Sequence, residues 1–166
     1  MIRFRPVILS DVPWIAEALS HETVARNTST IPHPLDENFI RSWVSDWKQL
    51  EAAGQGFRMV GTTDDGDGFG SAAIKRTTAT TGELSFWIAP RFWRQGLASQ
   101  MSKAIVEQAG VAGFTRLTAG HFRDNAGSAA VLRKLGFRRL DQDMEIFSLS
   151  RNENLATFRY ALDLER

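Results

Sequence analysis

The chain has no cysteine, one tyrosine and only five prolines in 166 residues. Without cysteine there are no disulfides, thiol nucleophiles or cysteine zinc sites, and the composition fits a reducing compartment. Histidine is nearly as scarce. His21, His33 and His121 are scattered without metal-motif spacing, so no metal is expected. No apolar run is long enough to cross a bilayer, and Met1-Ile2-Arg3-Phe4-Arg5-Pro6 carries early charge without the apolar core of a signal peptide. Neither sign of charge dominates. Twenty Lys plus Arg against nineteen Asp plus Glu leave a formal net charge of +1, which gives no broad field toward nucleic acid or membrane. These absences lead to the expectation of a soluble, cytoplasmic protein with no nucleic-acid or membrane partner. The length suits one domain over residues 1–166, without repeat, long linker or low-complexity tract.

What is present alternates between two periodicities. Residues 2–5 alternate apolar with basic and read as a strand, and Ser10-Asp11 suits the start of a helix that tolerates Pro13 and buries Trp14, Ile15, Ala18 and Leu19. After Pro32 and Pro34, Asp36 and Glu37 begin a second helix carrying Phe39, Ile40, Trp43, Val44, Trp47 and Leu50. Helical spacing assigns these aromatics to the core, although they could also wall a binding site. Strands over 57–62 and 70–76 flank Asp64-Asp65-Gly66-Asp67-Gly68, which reads as a turn because it lacks the ordered ligands and closing glutamate of a calcium loop. An inner strand covers 83–88. A helix over 96–109, a strand over 116–122 and a short helix over 126–135, with Ala130, Val131 and Leu135 inward, follow. The strands 138–149 and 155–164 would close the fold as a hairpin.

Two segments about thirty residues apart carry the chemistry. Trp93-Arg94-Gln95-Gly96-Leu97-Ala98 leads from a strand into a helix, whose first N–H groups and positive dipole end suit an anion. Gly96 lets backbone approach that anion, and Arg94 could add a charge. On its own such a glycine could simply permit a turn. No Walker Gly-Lys-Ser/Thr ending and no three-glycine dinucleotide fingerprint accompany it. The second segment is Asn125-Ala126-Gly127-Ser128, followed by Leu132-Arg133-Lys134-Leu135-Gly136-Phe137, in which Asn125 and Ser128 also suit helix capping.

Together these segments resemble the GNAT superfamily of N-acetyltransferases, particularly its RimJ/RimL-like branch. Residues 90–98 are similar to the pyrophosphate loop Q/R-x-x-G-x-G/A, with an aromatic at its first position and Arg94 in place of the usual small residue. Residues 124–137 are similar to the branch's N-x-x-S-x-x-x-L-x-K-L-G-F signature, and the likeness covers nearly the whole chain. It implies an α+β fold with a central mixed, mostly antiparallel sheet and helices on both faces. It also implies acetyl-CoA as donor cosubstrate, contacted by Arg94, Gln95, Gly96, Leu97, Ala98 and Ser99 at the loop and by Asn125 and Ser128 farther along. If the family's splayed central strands are present, the backbone N–H near Ile88 would polarise the thioester carbonyl. Arg26-Asn27 and Ile31-Pro32-His33-Pro34 look like the branch's variable segment beside the acceptor.

The implied reaction is attack by a neutral amine on acetyl-CoA, with a proton supplied to the leaving thiolate. Glu83 stands where histone acetyltransferases of the superfamily carry a strand glutamate as general base, although a solvent-facing strand glutamate is equally compatible with the sequence. His121 is the rival base, because histidine is the side chain suited to proton transfer near neutral pH. The tyrosine that some N-terminal acetyltransferases use as general acid is Leu132 here, which leaves Ser128 or water to deliver the proton. Freeing an amine at pH 7.4 costs about 1 kcal/mol for an α-amine and roughly 4 for lysine, which favours a protein N-terminus or small primary amine. Transfer of a longer acyl group and a non-catalytic acyl-CoA sensor are the alternatives. A homodimer is compatible with this size, with no residue pattern marking its interface.

Overall fold

Asp36 accepts a hydrogen bond from the Asn38 N–H (3.0 Å) and starts α3 (Glu37–Ala52), whose 3.6-residue spacing buries Ile40, Val44 and Trp47. The same logic sets α1 (Val12–Ser20) and the one-turn α2 (Glu22–Ala25) beside it. A second apolar helix face, Leu97, Met101, Ile105 and Ala109, belongs to α4 (Leu97–Val111). The computed structural model describes residues 2–164; Met1, Glu165 and Arg166, part of the expected domain span, lie outside the described residues.

Alternating residues form β1 (Arg3–Pro6), β2 (Gly56–Thr62), β3 (Gly68–Arg76) and β4 (Thr81–Ile88), an antiparallel meander. Then β5 (Arg116–Phe122) joins β4 in parallel, and β8 (Glu153–Asp163) pairs antiparallel with β5. The short β6 (Arg138–Arg139) and β7 (Met144–Ser148) both pair with the outer side of β8. The fold is thus the expected mixed, mostly antiparallel sheet. One core, holding Val12, Ile15, Leu19, Ile40, Val44 and Trp87, lies between the sheet and α1 with α3. The other, with Met101, Ile105, Ile74, Leu84 and Leu117, lies under α4. Helices therefore cover both faces.

Several local readings change. The expected strand over 138–149 is divided by residues 140–143, where Asp143 pairs with both Arg139 and Arg123 instead of extending the ladder. In α5 (Ala126–Lys134) the buried side chain is Leu132, whereas Ala130 is exposed and Val131 half-buried. Asp11 does not cap α1 with its side chain. Its carboxylate instead accepts both Nη groups of Arg5 (2.7 Å each), the Trp14 indole N–H (2.9 Å) and the Ile8 N–H (2.9 Å). β1 and the start of α1 are pinned together by that one group.

The feature that positions the site is where β4 and β5 part. Their pairing covers only Thr81–Leu84 against Arg116–Ala119, yet β4 stays on β3 through Ile88 and β5 stays on β8 through Phe122. Beyond Leu84 and Ala119 each strand follows its own half of the sheet, and a gap opens between them.

Asp11 generates a stability prediction. Burial pushes its carboxyl pKa up, but the hydrogen bonds from Arg5, Trp14 and Ile8 outweigh that and hold it below its ordinary value. A carboxyl with a lower pKa folded than unfolded contributes fully above the unfolded value, near ~3.9, and the contribution fades as pH falls through the folded value. Asp11→Ala should cost about 2–4 kcal/mol at pH 7 in denaturant titrations. That cost should shrink below pH ~4, whereas a pH-independent difference would contradict the assignment.

Candidate active site

Trp93 to Gly96 turn the chain out of the sheet and into α4. Arg94 (φ 63°) and Gly96 (φ 73°) both take left-handed backbone conformations, which glycine adopts freely and arginine at a cost of about 1 kcal/mol. Gly96 is the N-cap of α4 and offers no side-chain cap, and the Gln100 N–H bonds back to its carbonyl (3.2 Å). The N–H groups of Leu97, Ala98 and Ser99 precede that bond and point out of the helix start. They border a cavity of about 620 Å³, which also touches residues 86–88, 92–94, 124–128 and 131. Ile88, Arg94, Gly96, Leu97, Ala98, Ser99, Asn125 and Ser128 therefore share one hollow. Gln95 does not line it; its side-chain amide turns outward and donates to the Arg91 carbonyl (3.3 Å).

At the opposite wall Asn125 caps α5. Its Oδ1 accepts the Ser128 N–H (3.2 Å) while its Nδ2 donates to Ser128 Oγ (2.9 Å), so the backbone bond fixes the amide orientation. Ser128 accepts from Asn125, so its own hydroxyl proton remains available to the cavity. On the β4 side, the Ala89 N–H donates to the Phe69 carbonyl of the β3 approach. N–H directions alternate along a strand, so the Ile88 N–H points the other way, into the gap. The Ile88 carbonyl accepts from the Trp93 indole N–H (2.7 Å), which ties the loop to the strand edge.

A second cavity of about 440 Å³ lies on the face covered by α3. Asn27, Thr28, Phe86, Trp87 and Ser128 border both hollows, so the two meet at the gap between β4 and β5. Glu83, Ser128 and His121 all line this second cavity, but Glu83 and His121 approach from opposite faces of the sheet. The Glu83 carboxylate receives both Nη groups of Arg159 (2.7 Å each) and the Thr118 hydroxyl. Three of its roughly four acceptor positions are thereby filled. Gly120 makes this possible, because a Cβ there would stand 2.6 Å from Arg159 Nη1. His121 is buried, with Nδ1 at the Phe122 carbonyl (2.7 Å), Nε2 at the Tyr160 hydroxyl (3.1 Å) and its ring edge-on to Phe158. Both of its nitrogens are engaged.

Thr23, Val24, Asn27 and Thr28 border the first cavity and residues 27–31 the second, and long-range contacts hold this segment there. The Arg151 fork grips Asp124 (2.8 and 3.1 Å), its Nε donates to the Arg26 carbonyl (2.9 Å), and Ser150 Oγ donates to the Ala25 carbonyl (3.0 Å). The Arg151 hydrogen bonds, with Arg26 adding its charge, keep the Asp124 carboxyl below the usual range. Sequence reasoning missed this staple, because nothing local pairs position 151 with 26 or 124. It also left Trp43 and Trp47 in the core; helical spacing does place them against the sheet, yet both line the second cavity. Arg58 was missed too. Its 6 % exposure and stacking over Trp43 (4.2 Å) and Trp47 (4.4 Å) have no local sequence signal beyond a charge in an apolar strand.

The fold matches known proteins. Comparison with curated proteins yields no sequence match. Among solved structures, RimL, the ribosomal L7/L12 α-N-protein acetyltransferase in complex with coenzyme A, superposes with a TM-score of 0.87 at 16% identity, over 98% of this chain and 94% of that one. A putative acetyltransferase, yncA, from Salmonella typhimurium with acetyl-CoA gives 0.78 at 20% identity, over 99% and 95%. The spermidine N-acetyltransferase of Vibrio cholerae with CoA and spermine gives 0.80 at 12% identity, over 98% and 95%. At such identities these show a common fold. The model of the acetyltransferase (GNAT) domain matches residues 2–138, most of the sequence, and the chain therefore belongs to the GNAT acetyltransferase family.

Proposed function

We propose that this enzyme transfers acetyl directly from acetyl-CoA in the first cavity to a primary amine that enters through the second. The observation that carries the reading is the meeting of the two cavities at Phe86, Trp87 and Ser128, where the β4 edge is unpaired. The residues present fit the donor: three N–H groups at the start of α4 and the Arg94 cation suit a pyrophosphate, and the strand edge suits an extended amide-bearing arm. When bound, acetyl-CoA supplies the acetyl thioester. The Ile88 N–H is assigned to the thioester carbonyl oxygen, where charge develops as the amine attacks. Ser128, with its hydroxyl proton free, is assigned to the departing sulfur, directly or through water.

For the amine proton, Glu83 is the better placed of the two proposed bases. One acceptor position remains open on its carboxylate, within the second cavity, and a water held there can carry the proton from the amine. His121 is assigned instead to holding β5 against β8 through Tyr160. The five residues shared by the cavities, Asn27, Thr28, Phe86, Trp87 and Ser128, include no carboxylate or imidazole. The amine must therefore give up its proton readily. This supports an α-amine, on a protein N-terminus or a small molecule, over an internal lysine. RimL modifies a ribosomal-protein α-amine and the Vibrio enzyme is named for spermidine, so this fold accommodates both kinds of acceptor.

Two substitutions test the assignments. Gly96→Pro cannot reach the φ of 73° and should weaken CoA binding about tenfold or more in calorimetry, with an unchanged circular dichroism spectrum; wild-type affinity in a folded variant would count against the cradle. Glu83→Gln should lower kcat by about 100-fold with little change in the Kd for acetyl-CoA, and should flatten the acidic limb of the pH–rate profile. If turnover and profile are unchanged, Glu83 is a structural partner of Arg159 and the proton leaves by another route.

A further inference from the structure

Arg58 projects from β2 into the wall of the second cavity, 6 % exposed, with its guanidinium between the rings of Trp43 and Trp47. Among the described residues its guanidinium makes one hydrogen bond, from Nη1 to Ser71 Oγ (3.0 Å), and that hydroxyl donates to the Met59 carbonyl. Nε has no partner, and among the described residues no carboxylate stands within ion-pair distance. The other charges on this cavity do not compensate it: Asp46 and Lys75 are exposed, and Glu83 is closed against Arg159. Burial pulls the Arg58 pKa down to about 9, so at neutral pH it is still a cation. Stacking on two indoles offsets part of the burial cost of a charge, but with one Nη1 hydrogen bond to Ser71 it leaves Nε without an acceptor.

A second donor in the same wall lacks a partner. The Trp87 indole N–H is buried and unpaired, and Trp87 borders both cavities. Ser71 on β3 holds the Arg58 guanidinium and is the register partner of Trp87, so the two donors, from β2 and β4, flank β3 on one face of the sheet, with Trp87 at the junction. Both unsatisfied groups are donors on residues that line the cavity, so a ligand complementary to this wall brings acceptor oxygens. The same cavity also carries apolar residues, Ile31, Leu50, Phe122 and Ile146, among its polar ones.

We propose that the acceptor is a small amine bearing a carboxylate and an apolar side group, with the carboxylate bound by Arg58 and the amine turned toward the junction at Trp87 and Ser128. This rests on the reading that the second cavity takes the acceptor. A planar guanidinium matches a carboxylate in a way that an uncharged amine or amide cannot reproduce.

The test compares matched acceptors that differ only in the carboxylate: L-phenylalanine with phenethylamine, and L-methionine with 3-(methylthio)propylamine. Acetyl-CoA-dependent thiol release is followed for the wild type, Arg58→Met and Arg58→Lys. The wild type should favour each amino acid over its decarboxylated partner by about tenfold or more in kcat/KM. Arg58→Met should erase that preference by raising KM for the amino acids, with kcat/KM for the amines little changed, and Arg58→Lys should restore part of it. Equal or better use of the decarboxylated amines by the wild type would overturn the proposal. So would an equal loss for both members of each pair in Arg58→Met, or turnover confined to peptide amides without a carboxylate. If no acceptor reacts, calorimetry with N-acetyl-L-phenylalanine and N-acetylphenethylamine decides separately. Arg58-dependent binding of the carboxylate alone would sustain the anion site while the acetyl-transfer reading failed, and absence of that binding would overturn it.

Discussion

Beyond Leu84 and Ala119, β4 and β5 each keep a different neighbour and lose one another. An unpaired strand edge inside a protein is costly unless something covers or uses it, and here both hollows open onto it. The half-sheet from β1 to β4 carries Ile88 and the turn into α4; the other half carries β5 and the start of α5. The Gly96 turn and the Asn125 cap thus face one another across the gap because the sheet divides, and the same division opens the edge toward the face under α3. Four residue pairs, Thr81–Leu84 with Arg116–Ala119, hold the halves together. Glu83 strengthens this hinge, since through Arg159 and Thr118 it links β4, β5 and β8 just below the opening.

The two signatures were legible in sequence because each is local: a left-handed glycine before a helix, and an Asn–Ser cap, are built from neighbours within a turn. Periodicity likewise located the helices and most strands. It failed where the deciding contact is distant or lateral. Asp11 looked like a cap, but the Arg5 fork and the Trp14 indole draw its carboxylate elsewhere. Leu140 to Asp143 looked like strand, but Asp143 is held by two arginines. Glu83 could be placed on a strand by its pattern, but its partner Arg159 lies 76 positions away and the gap it needs at Gly120 belongs to another strand. Arg94 was readable as a charge in the loop, whereas its left-handed backbone became visible only in the fold.

The two hollows differ in how much of their lining chemistry is backbone. The first offers N–H groups at a helix start and a strand edge, which many sequences can supply. The second is side-chain chemistry: two tryptophans, a buried guanidinium and a carboxylate already engaged. Under the proposed function, specificity resides there. The Arg151 staple joins the two hollows, since Asn27 and Thr28 border both and the adjoining Arg26 is fixed through Arg151 to Asp124, one residue before the Asn125 cap.

The central claim is that the open β4 edge and the α4 N-terminus receive the donor while the α3 face is kept for the amine. Amide NMR of uniformly ¹⁵N-labelled protein titrated with acetyl-CoA measures this directly. The account predicts large shifts for Ile88, Leu97, Ala98, Ser99 and Ser128, with Arg58 and Trp47 unmoved until an amine is added. Shifts centred on Arg58, Trp43 and Trp47 with Ile88 and Leu97 unchanged would contradict it.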